Sequence, residues 1–137
     1  MITPASPEDL RIIAAQLGRV PRGVLGVAAR CGDCGDNPAN GSAGHEGGIS
    51  VGGPGGISAG HPAVIASAPR LPGGEPFPTF YYLTCPAAVA AVSHLEANGV
   101  MREAEALLEA NPQIAAAYTR AHELYIRERA QAGEASG

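Results

Sequence analysis

The chain has 137 residues, 45% of them hydrophobic, and a net charge of −4, which suits one modest globular domain. All nine cationic residues are arginines, scattered along the chain, so the basic stripe of a nucleic-acid-binding protein is missing and no nucleic acid is expected as a partner. No apolar run reaches the roughly 18 residues of a membrane span. Met1 to Gly18 carries Glu8, Asp9 and Arg11 where a signal peptide would need an unbroken apolar stretch, so the chain reads as cytoplasmic.

The first predicted element is a helix. Ser6 is its expected N-cap, Pro7 fits the first helical position, Glu8 and Asp9 suit the positive dipole end, and Gly18 ends it. Leu10, Ile13, Ala14 and Leu17 supply its apolar stripe. The segment Val24-Leu25-Gly26-Val27-Ala28-Ala29-Arg30 then reads as a strand leading into Cys31.

Eleven of the 19 glycines lie between Gly32 and Gly60. Residues 36–60 have few large side chains to repay the entropy of ordering, so they are expected to be a flexible loop inserted between two strands. These glycines lack the Gly-Lys-Ser/Thr ending of a phosphate-binding loop, and no helix pattern follows them. A spacer is the expectation. Ala63 to Ala68 reads as a second strand. Phe77 to Thr84 reads as a third, central in its sheet or covered by helix on one face and loop on the other, because both of its faces carry bulk.

Three helical segments follow. Cys85 sits at an expected N-cap before Pro86, and Asn98-Gly99 closes that helix. A short helix carries Leu107 and Leu108. Asn111-Pro112 starts a long one with Ile114, Ala117, Tyr118, Ala121 and Tyr125 on one face, and residues 131–137 read as a frayed tail. The order α-β-loop-β-β-α-α-α describes a single α+β domain over 1–137, with an antiparallel sheet of about three strands covered by helices.

The chemistry is concentrated in three cysteines. Cys31-Gly32-Asp33-Cys34-Gly35 has the form of a zinc knuckle, in which a tight turn aims two sulfurs at one ion. In a reducing compartment an odd number of cysteines favours thiols, metal ligation or catalysis over a disulfide frame. Cys85 supplies a third sulfur. Among the histidines, His45 and His61 fall with the glycine-rich insertion, and His94 reads as a solvated helix residue. His122 lies about 40° around its helix from Tyr118, at the border of the apolar stripe, where it suits a ligand or a half-buried structural histidine equally.

Cys85 has a metal-free alternative. An N-cap sulfur faces unpaired amides and the positive dipole end, the setting of a thiolate nucleophile. Arg22, Arg30, Arg70 and Arg102 lie at element boundaries, where they can bind an anionic substrate or pair with a neighbouring acid. Glu96, Glu103 and Glu123 read as helix-surface charges.

The runs Pro21-Arg22-Gly23-Val24-Leu25, Arg30-Cys31, Ala68-Pro69-Arg70-Leu71-Pro72, Pro76-Phe77-Pro78-Thr79 and Tyr81-Tyr82-Leu83-Thr84-Cys85-Pro86 carry a family resemblance. With Leu95-Glu96, Met101-Arg102-Glu103, Ala116-Ala117-Tyr118 and Arg120-Ala121-His122-Glu123, the chain resembles an uncharacterised actinobacterial family, domain of unknown function five hundred and one, over almost its whole length except residues 36–60. The resemblance implies a cysteine at Cys31, a cysteine or histidine at Cys85 and a histidine at His122. A metal site tolerates such an exchange and a thiol nucleophile does not. Cys34 and the insertion depart from the pattern.

The expected function is therefore the binding of one metal ion, zinc first and iron or an iron-sulfur centre next, through Cys31, Cys85 and His122 with Cys34 as fourth ligand. Two alternatives stand beside it. One is a thiol-dependent enzyme with Cys85 as catalytic nucleophile. The other is a non-catalytic protein that docks a protein partner in the cell-division context implied by the resemblance.

Overall fold

The structure, a computed structural model, describes residues 1–32, 49–51 and 60–135. Its elements in chain order are α1 (Pro7–Leu17), β1 (Val24–Cys31), β2 (Ile49–Val51), β3 (Pro62–Ser67), β4 (Tyr81–Leu83), α2 (Pro86–Ala97), α3 (Val100–Ala110) and α4 (Pro112–Ala135). This is the expected α+β class, with its helix order intact. The chain divides into two compact units, Met1–Ala90 and Ala91–Gly137.

In the first unit, one antiparallel sheet has the order β2-β1-β3-β4. Three of its strands answer to the three expected ones. The three-residue β2 falls within 36–60, where only loop is expected, and pairs Ile49 with Cys31 and Val51 with Ala29. β1 and β3 form the sheet's centre, and their register shifts at several points between Val24 and Arg30.

The third strand is shorter than its aromatic run suggests, and β4 lies at an edge, so the central one of its two expected placements is not the one observed. Pro76 and Pro78 have no N–H to give to a ladder, so Phe77 to Thr79 stay outside the strand. The bulk still matters, because Phe80 immediately before β4 is fully buried. The rest of the core comprises Ile13, Val27, Ala29, Cys31, Ala63, Ile65, Ala66, Ala68 and Cys85.

Helix α1 begins with the expected cap. The Ser6 hydroxyl accepts the Asp9 N–H at 3.1 Å, and the Asp9 carboxylate accepts the Ser6 N–H at 2.9 Å, a reciprocal capping box. Its inward face differs from the expected stripe. Leu10 is exposed and Asp9 is buried beside Ile13, because Arg30 on β1 draws the carboxylate inward. Gln16 ties the far end of the helix to the sheet by donating to the Pro62 carbonyl at 2.9 Å.

In the second unit, Asn111 caps α4. Its side-chain oxygen accepts the N–H groups of Gln113 and Ile114 at 3.0 and 3.2 Å. The helix continues to Ala135, through residues that read as a frayed tail. Ile114, Tyr118 and Ala121 of the expected stripe are exposed. Among the described residues no helix is long and apolar enough to cross a membrane.

Candidate metal centre

Antiparallel pairing makes the site. β1 ends at Cys31 and β3 begins at Pro62, so the last residue of one strand lies beside the residue preceding the other. The Cys31 N–H donates to the His61 carbonyl at 2.9 Å, which extends the ladder by one bond. Gly60 makes this approach possible, since a Cβ there would overlap the Cys31 carbonyl.

The chain returns to the same corner after β4. Thr84 and Cys85 both donate their N–H groups to the Ala63 carbonyl, at 2.8 and 3.3 Å, and the Thr84 hydroxyl donates to the Pro62 carbonyl at 3.3 Å. Pro86 then starts α2, and the Cys85 carbonyl accepts the Val89 N–H at 2.9 Å. Cys85 thus stands at the helix entrance, with its sulfur aimed at the end of β1.

Ligand-type atoms of Cys31, His61 and Cys85 lie within 4.8 Å of one another. His61 Nε2 is 3.4 Å from Cys85 Sγ. Zinc at about 2.0 Å from nitrogen and about 2.3 Å from sulfur, with tetrahedral angles, sets these atoms about 3.6 Å apart. Two sulfurs on the same ion stand about 3.8 Å apart, so separations of up to 4.8 Å would need to close by only about 1 Å. Both cysteines are buried, His61 is half-buried, and Ala63, Ala87 and Ala88 pack around the sulfurs. This group can hold a metal ion.

The two sulfurs differ in state. Cys31 takes part in a disulfide, contrary to the expectation for an odd cysteine set, whereas Cys85 is outside any disulfide. A disulfide sulfur has no thiolate to give to a metal, so ligation by Cys31 belongs to the reduced chain.

His61 does not stand out as a ligand in the sequence, because it directly follows the glycine-rich run. The signal lay in strand order. Two neighbouring antiparallel strands joined by an insertion bring the end of the first to the start of the second, and His61 stands there. His122 lies exposed on α4 in the second unit. Cys34 and His45 lie outside the described residues.

The boundary arginines take separate roles. Arg30 forms a two-pronged ion pair with buried Asp9, at 2.7 and 2.8 Å, and also donates to the Gly60 carbonyl at 3.3 Å. Its hydrogen bonds hold the Asp9 carboxyl down at about 2, below the usual 3.8, against the opposing effect of burial. Arg70 donates to the Gly74 carbonyl within its own turn at 3.2 Å. Arg22 and Arg102 are exposed.

Residues 56–137 match the family model described as protein of unknown function (DUF501). The chain belongs to that family. The matched segment contains His61 and Cys85 and begins after β2, so it is narrower than the resemblance suggests and leaves Cys31 outside. No curated protein and no solved structure matches the chain.

Proposed function

We propose that this protein, in its reduced form, binds one metal ion, zinc first, through Cys31, His61 and Cys85. The observation that carries this reading is the convergence of the three side chains from the end of β1, the entrance to β3 and the entrance to α2. An ion there would tie three segments that are far apart in the chain, which is the work of a structural site. The CxxC spacing puts Cys34 forward as the fourth ligand; without it, water would complete the coordination. Retention of zinc by thiolates suits a reducing compartment such as the cytoplasm.

Metal analysis of protein purified under a dithiol reductant tests the reading, with about one equivalent of zinc or iron expected. Less than a tenth of an equivalent sinks it. His61→Ala and Cys85→Ser should each release the ion, and a variant that retains it removes that residue from the site.

A second reading rests on the 3.4 Å approach of His61 Nε2 to Cys85 Sγ. Such a pair can act as a thiolate nucleophile with its base. Cys85 is only 1% exposed, however, which leaves a substrate little access. Rapid alkylation of Cys85 in the folded, metal-free protein would favour the enzyme over the metal site.

A further inference from the structure

We infer that Asp9 and Arg30 are positioning residues for the metal site, holding the Gly60–His61 segment against the end of β1. The inference rests on the metal reading above. Arg30 adjoins Cys31 in β1, and one of its guanidinium nitrogens serves both Asp9 Oδ1 and the Gly60 carbonyl, at 2.7 and 3.3 Å. The other donates to Asp9 Oδ2 at 2.8 Å. Asp9 is fixed in turn by the backbone N–H and hydroxyl of Ser6, at 2.9 and 3.0 Å.

The contacts form one line. It runs from the cap of α1 through Asp9 and Arg30 to Gly60, whose neighbour is His61. Gly60 has no side chain with which to fix itself, and Cys31 lies directly against it. The Arg30 contact at the Gly60 carbonyl and the Cys31 contact at the His61 carbonyl are two successive backbone anchors. They set where the imidazole leaves the chain.

Burying a charged pair contributes little net stability compared with apolar packing. Its value here is geometric, because a guanidinium is planar and can serve two carboxylate oxygens and a third acceptor in fixed directions. Lysine keeps the charge and loses the fork. Groups one step behind metal ligands commonly affect affinity by about 10- to 100-fold. The cap of α1 is also coupled to the ion, and the coupling is reciprocal.

The test is titration of the reduced full-length chain with Co²⁺ alone, following the absorption bands that report ligand number and geometry. Arg30→Lys and the nearly isosteric Asp9→Asn should each weaken cobalt binding about tenfold or more and alter the bands. Phe80→Leu destabilises the same unit at a residue outside this line of contacts, and should leave both affinity and bands unchanged. If wild type binds cobalt and both clamp variants bind within twofold of it, the inference fails while the metal reading stands. An equal loss in Phe80→Leu also overturns it, since general loosening then explains the effect. If wild type binds no cobalt, the metal reading falls and takes the inference with it.

Discussion

The two compact units are built on different terms. Every buried residue among those described lies in Met1–Ala90, and none lies between Pro86 and Glu134. In the sheet unit, α1 and the loops bring Ile13 and Phe80 to complete burial. The second unit leaves Val92, Leu95, Met101, Leu107, Tyr118, Leu124 and Ile126 exposed. This unit comprises the end of α2 with α3 and α4, and so few helical segments cannot enclose all their apolar faces. What such a unit does possess is length and composition, since the 24 residues of α4 exceed the roughly 12–15 below which isolated helices are marginal. The sheet unit is specified by packing, and the helical unit largely by local preference.

The most severe test of this contrast is truncation. Phe80→Ala and Ile13→Ala should each cost about 3–5 kcal/mol, the range for emptying a well-packed core position. Leu107→Ala and Leu124→Ala should cost less than about 1 kcal/mol, because both side chains are already about half exposed and alanine favours helix. Urea unfolding of the four variants measures the difference. A loss at Leu124 as large as that at Ile13 would mean the helical unit has a covered core, and the contrast would collapse.

Gly60→Ala comes next. The added methyl group has no room against the Cys31 carbonyl, so the chain must shift where β1 meets β3, at about 1–3 kcal/mol. The same variant should lose metal in the reduced protein, because the shift separates His61 from Cys31. Full stability together with full metal content would show that Gly60 is not needed for the approach.

Acid offers a smaller effect, again specific to the sheet unit. Asp9 titrates at about 2 in the folded chain against an ordinary 3.8, so its contribution is present above pH 4 and disappears as pH falls through 2. That shift corresponds to about 2 kcal/mol. Asp9→Asn should be less stable than wild type at pH 6, and the gap should narrow between pH 4 and 2. A constant gap across that window would separate the pair's stability from Asp9 ionisation.

Much of the frame was legible because helices announce themselves locally. Ser6, Gly18, Pro86, Asn111 and Pro112 mark real boundaries, and the apolar runs ending at Cys31 and starting near Ala63 are real strands. What could not be read depends on pairing at a distance. Asp9 looks like a dipole-favouring surface acid until Arg30, 21 residues away, turns it inward. The aromatic run before Cys85 makes only a three-residue edge strand, and its bulk serves the core through Phe80, whose carbonyl accepts the Ser67 N–H of β3 at 2.7 Å just before β4 begins. For the site, Cys31 and Cys85 stood out by residue type. His61 did not, since its role comes from strand order and from a missing Cβ at Gly60.

The smallest prediction inverts the usual ranking of effects. Asn111 caps α4 through two backbone N–H groups, and replacing it with alanine should cost about 1 kcal/mol. In the sheet unit such a loss is minor beside any core truncation, and Ser6→Ala should rank far below Phe80→Ala. In the helical unit, Asn111→Ala should match or exceed Leu124→Ala, because an end-cap there matters more than a half-exposed leucine. Helical ellipticity at 222 nm in mild urea reads both variants. If Leu124→Ala melts more helix than Asn111→Ala, the second unit is held by packing after all, and the two units follow one rule.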